Sequence, residues 1–183
     1  MSVNIQLEWT PNPSTLKYVV DRTLIPSGAV NFTDLQKATE QSPLAARLFG
    51  IAGVKGVMIG SQFVTVTKGE SGEWDELNDA VMAALDQHLS ANETIVHESA
   101  LVRTVVSGTA TEQKIRDVLD AEIRPAVQQD GGDVLLDRFE GGVAYLHMRG
   151  SCSGCPSSTA TLKMGIETRL REVVPELVEV VSV

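Results

Sequence analysis

Between Ala91 and Thr111 the chain loses its hydrophobic rhythm, and that break limits what it can fold into more than any other feature. The stretches Ala91-Asn92-Glu93-Thr94 and Ser107-Gly108-Thr109-Ala110-Thr111 are polar overall and flank one short apolar run, Leu101 to Val106. With no internal repeat and no low-complexity tract to account for it, such a shift marks a linker with a marginal element inside it. The blocks on either side are each long enough to bury a modest core without staples. The expected organisation is a domain at residues 1–90, a linker at 91–111 and a second domain at 112–183.

In the first block Val3, Ile5 and Leu7 alternate with polar neighbours, the two-residue period of a half-buried strand. Thr10-Pro11-Asn12-Pro13 forces a turn, and Leu16 to Leu24 reads as a second extended segment ending at Pro26-Ser27-Gly28. Ser42-Pro43 opens a short helix carrying Leu44, Ala45, Leu48 and Phe49, with Pro43 at its first position. Residues 54–59 and 63–67 are rich in β-branched residues and separated by Gly60-Ser61, a hairpin signal. Trp74, Leu77, Val81, Ala84, Leu85 and Leu89 then recur at helical spacing, beside Glu73, Asp75 and Glu76, which suit the positive end of a helix dipole. Trp74, Leu77 and Val81 are read as core rather than as a docking stripe.

The second block is more sharply punctuated. Thr111 or a residue beside it caps a helix with an apolar face of Ile115, Val118, Leu119, Ile123 and Val127, kinked late by Pro125. Asp130-Gly131-Gly132-Asp133 stops it, the aspartates serving as turn and capping residues rather than metal ligands. Strands at 134–140 and 143–148 are joined by Gly141-Gly142, a strong two-residue hairpin signal. A helix from about Ser157 to Val173 and a strand at 177–183 complete the order helix, strand, strand, helix, strand. The expected fold class is α+β in two small domains.

The formal charge of −9 is spread over the chain: residues 1–111 hold 12 acidic and 7 basic groups, residues 112–183 hold 12 and 8. Nucleic-acid binding draws on Lys and Arg that neutralise phosphates, so this balance excludes that partner class. No apolar run approaches the ~20 residues of a membrane-spanning helix. Residues 1–6 carry neither a secretory nor a transit pattern, which gives a cytoplasmic expectation. The sequons at Asn31 and Asn92 are then surface turns.

The chemistry lies in Cys152-Ser153-Gly154-Cys155-Pro156, which holds the only two cysteines of the chain. Two sulfurs at this spacing can chelate one metal centre, while Ser153 and Gly154 leave backbone amides free to face the thiolates. Pro156 fits a first helical position, which puts Cys155 near the positive end of a helix dipole that favours thiolate. A structural disulfide would close too small a ring to matter in a reducing compartment. A thioredoxin-like pair expects a preceding βαβ unit where a hairpin stands here, and structural zinc wants four ligands from one module. An iron-sulfur cluster also takes four thiolates, but two copies, each giving one pair across a two-fold axis, would hold one 4Fe-4S cluster between them. A dithiol-disulfide oxidoreductase, with Cys152 as nucleophile and Cys155 as resolving thiol, stays open as the alternative.

Residues 112–183, with Gln129-Asp130-Gly131-Gly132-Asp133-Val134 and Gly150-Ser151-Cys152-Ser153-Gly154-Cys155-Pro156-Ser157-Ser158, resemble the NifU carboxy-terminal domain, the defining domain of the Nfu family. Residues 1 to about 90, with Glu8-Trp9-Thr10-Pro11-Asn12-Pro13-Ser14-Thr15-Leu16-Lys17 and Ser42-Pro43-Leu44-Ala45-Ala46-Arg47-Leu48-Phe49, resemble the Nfu amino-terminal domain. The resemblance implies a scaffold or carrier, not an enzyme. It would receive a 4Fe-4S cluster on Cys152 and Cys155, as a homodimer when loaded, from upstream cluster assembly proteins and deliver it to apo iron-sulfur client proteins. The amino-terminal domain would recognise clients or control assembly.

Other candidates weigh less. His147 lies near the cysteines but alternates with Leu146 and Met148 as a strand residue would, and His88 and His97 are further off. Arg149 and Lys163 could offset the charge of a cluster or be solvated cations. No Ser-His-Asp set, phosphate-binding glycine loop or His-Glu-x-x-His helix is visible.

Overall fold

A computed structural model of the chain describes residues 3–101, 108–154 and 156–183, with residues 156–158 described by their backbone alone. Among these residues the chain divides into two units, residues 1–104 and 105–183.

The first unit begins with β1 (Ile5–Trp9), β2 (Thr15–Val20) and β3 (Ala29–Phe32), followed by α1 (Leu35–Gln41) and α2 (Pro43–Phe49). A hairpin of β4 (Val54–Gly60) and β5 (Phe63–Lys68) and the long α3 (Trp74–Ser90) come next, and a single turn, α4 (Glu98–Leu101), ends the described part. The sheet is antiparallel, in the order β1-β2-β5-β4-β3. Leu16, Tyr18, Val57, Ile59, Val64 and Val66 from the strands share one core with Leu44, Leu48, Val81, Leu85 and Leu89 from the helices. Leu77 and Val81 are buried, and half-buried Trp74 ties down its helix start by donating from Nε1 to Pro13 O at 2.9 Å.

Three details differ from the sequence expectation. The second strand ends at Val20, not Leu24. β3 and α1 were not anticipated, since β3 is four residues long and α1 buries Ala38 alone, leaving no apolar stripe to detect. Residues 93–97, expected in the linker, pack on this unit: Ser42 Oγ donates to Ile95 O at 2.6 Å, His97 N donates to Gln41 O at 2.8 Å, and Val96 is buried. Most of the apolar run expected at 101–106 lies outside the described residues.

The second unit runs α5 (Ala110–Val118), a π-turn at Leu119–Ile123, α6 (Arg124–Gln129), β6 (Gly132–Glu140), β7 (Val143–Gly150), α7 (Pro156–Val173) and β8 (Glu179–Ser182). It is helix, strand, strand, helix, strand, and with the first unit it makes an α+β chain. Thr109 rather than Thr111 is the helix cap: its side chain accepts from Glu112 N and Glu112 answers at Thr109 N, a complete capping box. The second Glu112 oxygen accepts from Phe139 N at 3.1 Å, close to the bulge in β6 between Leu136 and Arg138. Gly141 and Gly142 take φ of 58° and 81°, the paired positive values of the tight turn that their sequence announced. β6 and β7 are antiparallel, and β8 joins β7 in parallel after the crossover through α7.

The π-turn is the feature with most effect on the site. Arg124 N donates to Leu119 O, five residues back, so the helix carries one residue more in this turn than an α-helix would. The buried face therefore runs Ile115, Leu119, Arg124, Val127, and an arginine enters the core where a straight helix would have placed Ile123. Among the described residues no helix is long and apolar enough to cross a membrane.

Candidate functional site

Two turns of the second unit clasp each other and together seat Cys152. One is the stop after α6, Asp130-Gly131-Gly132-Asp133; the other leads from β7 towards α7. Ser151 N donates to Gly131 O at 3.1 Å, and Ser151 Oγ donates to Asp130 O at 2.5 Å. The second turn is closed on itself by Cys152 N to Arg149 O at 3.2 Å and Ser153 N to Gly150 O at 3.1 Å. Thr159, in the first turns of α7, donates its hydroxyl to Cys152 O at 3.4 Å.

The sulfur is packed, not presented. Cys152 is 7% exposed and belongs to the second core, with Ile115, Leu119, Val134, Leu146 and Ile166. It fits because residue 132 is glycine: a Cβ there would lie 2.2 Å from Cys152 Sγ. Burial pushes the Cys152 thiol up to about 11, opposed by hydrogen bonding from Ser151 and from the Asp133 backbone and reinforced by the carboxylates of Asp130 and Asp133. Its buried seat thus favours the neutral thiol, and metal binding requires it to shed a proton. Cys155 lies outside the described residues, so the thiolate expected of it is not addressed; α7 does start at Pro156, the next residue.

Asp133 does more than turn the chain. Its carboxylate is fully buried and takes two bonds from Arg124, Nε to Oδ1 at 2.7 Å and Nη2 to Oδ2 at 3.0 Å. The remaining Arg124 nitrogen, Nη1, reaches Asp120 Oδ1 at 2.7 Å. Desolvation alone would push the Arg124 guanidinium down, but its bonds to Asp133 and Asp120 outweigh that and hold it above the usual range. Asp130 behaves as expected, closing α6 and offering its carbonyl to Ser151. Sequence reasoning missed Arg124 because nothing in Ile123-Arg124-Pro125 announces the extra residue that turns it inward.

The other candidates disperse. His147 engages Asp137 Oδ1 through Nε2 and Val183 O through Nδ1, each at 3.3 Å, so both ring nitrogens are occupied away from the cysteine. His88 is buried in the first unit against Thr94 O. Lys163 pairs with Glu179 at 3.2 Å. Arg149 stands opposite Asp133 in the β6–β7 register; burial pushes its guanidinium down, Asp133 opposes this and Arg124 adds to it. Among the described residues no three His, Cys, Asp or Glu side chains converge as a metal site.

Comparison with known proteins accounts for both units. Residues 5–92 match the family model described as scaffold protein Nfu/NifU N terminal, and residues 115–181 match the NifU-like domain. The chain belongs to the Nfu family. Curated Nfu relatives named NFU1 iron-sulfur cluster scaffold homolog, mitochondrial, are similar across the chain. That of Drosophila virilis is 37% identical over all of this chain and 62% of its own length; that of Drosophila grimshawi is 39% identical over 98% and 61%. The chain therefore spans about three fifths of the length of these relatives. A solution structure of a NifU-like protein from Saccharomyces cerevisiae matches 53% of this chain and 87% of its own at 22% identity, with a TM-score of 0.48.

The relatives overturn one expectation. The cytoplasmic address does not stand, because these Nfu proteins are named as mitochondrial. It had rested on residues 1–6 alone, and in a chain that spans only part of its relatives those residues carry no address.

Proposed function

We propose that the chain is a carrier of iron-sulfur clusters, in which Cys152 and Cys155 from each of two copies hold one 4Fe-4S cluster that then passes to apo-proteins. The observation that carries this reading is the ligand count. The chain has two cysteines, three positions apart next to the start of α7, in the segment that matches the NifU-like domain. A cluster of this kind takes four thiolates, so each chain owns half a set and a second copy completes it. The relatives' names, iron-sulfur cluster scaffold homologs, support the class of cargo. Partners follow from the role: a second copy, upstream proteins that build the cluster, and client apo-proteins that accept it.

Delivery is an exchange of ligands and is stoichiometric rather than catalytic. For each iron–thiolate bond that breaks on the carrier, one forms to a client cysteine; the client thiol's proton passes to the released carrier cysteine, and no electron is transferred. Cys152 suits the receiving end of that proton, because its buried seat favours the neutral thiol. Anaerobic reconstitution with ferrous iron and sulfide tests the reading. It should give a brown dimer with about four irons and four sulfides, lost in Cys152→Ser and in Cys155→Ser, that activates an apo-dehydratase. A preparation that stays colourless and iron-free under these conditions refutes it.

A further inference from the structure

We propose that Arg124 and Asp133 are positioning residues for Cys152: their ion pair fixes the start of β6 beside Gly132 and keeps the thiol seated over that glycine until a metal centre draws it out. The inference rests on the reading of Cys152 as a ligand.

The pair is buried at a cost that the fold does not otherwise require. Arg124 is 5% exposed and Asp133 0%, and burying two charges is favourable only with close geometry and every donor used. The geometry is close and all three guanidinium nitrogens are engaged, Nε and Nη2 by Asp133 and Nη1 by Asp120. Bringing the arginine inward also takes the extra residue at Leu119–Ile123, since Arg124 N reaches back to Leu119 O.

The pair acts on the sulfur through the shortest route the chain allows. Asp133 is the second residue of β6, and its carboxylate is clamped by Arg124. The residue before it, Gly132, is the floor on which the sulfur rests.

The test separates positioning from general support of the fold. In Cys155→Ser chain, Cys152 is the sole thiol, and its alkylation by iodoacetamide is followed at one fixed pH by mass spectrometry. Arg124→Lys keeps the charge but loses the two-pronged grip, and should speed alkylation about tenfold, the scale of one lost hydrogen bond. Val180→Ala, which thins the core at the Ala144 end of β7, away from the cysteine turn, should leave the rate within about twofold. Asp120→Ala releases only the outer prong and should give a smaller rise, which keeps the test alive if Arg124→Lys does not fold. Rates unchanged in the folded Arg124 and Asp120 variants, or rising equally in Val180→Ala, would show a merely structural pair and overturn the proposal. In the two-cysteine chain, the visible circular dichroism of the reconstituted cluster should change in Arg124→Lys and not in Val180→Ala. Alkylation needs no iron, so a parent chain that never loads would refute the carrier reading and leave the positioning result standing.

Discussion

Gly132 and Cys152 meet where no side chain would fit: a Cβ on residue 132 would stand 2.2 Å from the sulfur and 3.1 Å from Ser151 Oγ. Gly132→Ala should therefore expel the thiol or shift the turn, at a cost of about 1–3 kcal/mol. Because the obstacle is mainly the sulfur, Cys152→Ala in the same chain should restore a large part of the loss. A double-mutant cycle in urea checks this, followed by far-ultraviolet circular dichroism, since both tryptophans, Trp9 and Trp74, report on the first unit. Additive effects would mean that the two residues do not share one site.

The raised Cys152 thiol makes a prediction with a definite sign. In Cys155→Ser chain, alkylation should be slow at pH 7 and climb about tenfold per pH unit towards the value of about 11. The folded value lies above that of an unfolded thiol, ~8.5. The associated stability is therefore complete below that unfolded value and is lost as pH rises through the folded one. Rates measured by mass spectrometry that level off near pH 8.5 would place the thiol in water.

Glu112 holds two backbone donors at once, Thr109 N at 2.9 Å and Phe139 N at 3.1 Å. Those bonds, Thr109 first and Phe139 next, with Arg116 adding to them against desolvation, hold its carboxyl below the usual carboxylate range. Stability from this source is present above the unfolded carboxylate value and is lost as pH falls through the folded one. Glu112→Gln should lower stability at pH 7 and flatten the acid side of the stability curve. Urea midpoints between about pH 3 and 7 check it, and equal slopes for the two proteins would refute it.

Removing one partner of the Arg124–Asp133 pair should be costly in stability whatever its role at the sulfur. Arg124→Met strands a buried carboxylate and should cost about 3–5 kcal/mol. Arg124→Met with Asp133→Leu leaves no stranded charge and should recover more than half of it. Equilibrium unfolding in urea decides, and a double variant as unstable as the single one would show that shape rather than charge holds the two residues there.

Local chemistry was legible in the sequence, and burial was not. The β6–β7 hairpin could be read from Gly141-Gly142 because few other residues tolerate two successive positive φ values. The stop after α6 and the cysteine turn were equally plain. α1 escaped because a helix that buries one alanine has no hydrophobic period. The cap moved from Thr111 to Thr109 although Thr109-Ala110-Thr111-Glu112 spells the capping box.

At the site, the motif stood out in the sequence but the surroundings of Cys152 did not. Asp133 read as a turn residue since an aspartate beside glycines usually is one; its partner arrives from nine residues earlier only because the helix between them is irregular. A dipole argument made thiolate the expectation for Cys155, which lies outside the described residues. At Cys152 desolvation by the second core, a tertiary effect, works in the opposite direction.

The π-turn at Leu119–Ile123 means that this site depends on an irregularity of the backbone as well as on residue identity. Closing that turn into regular α form with all its residues kept would swing Arg124 towards water by roughly a hundred degrees and put Ile123 where the guanidinium is. Substitution scanning, which preserves spacing, would pass over this dependence. A deletion of one residue between Leu119 and Arg124 would take up the extra residue, keep Arg124 on the face of Leu119 and leave every amino acid of the cysteine motif in place.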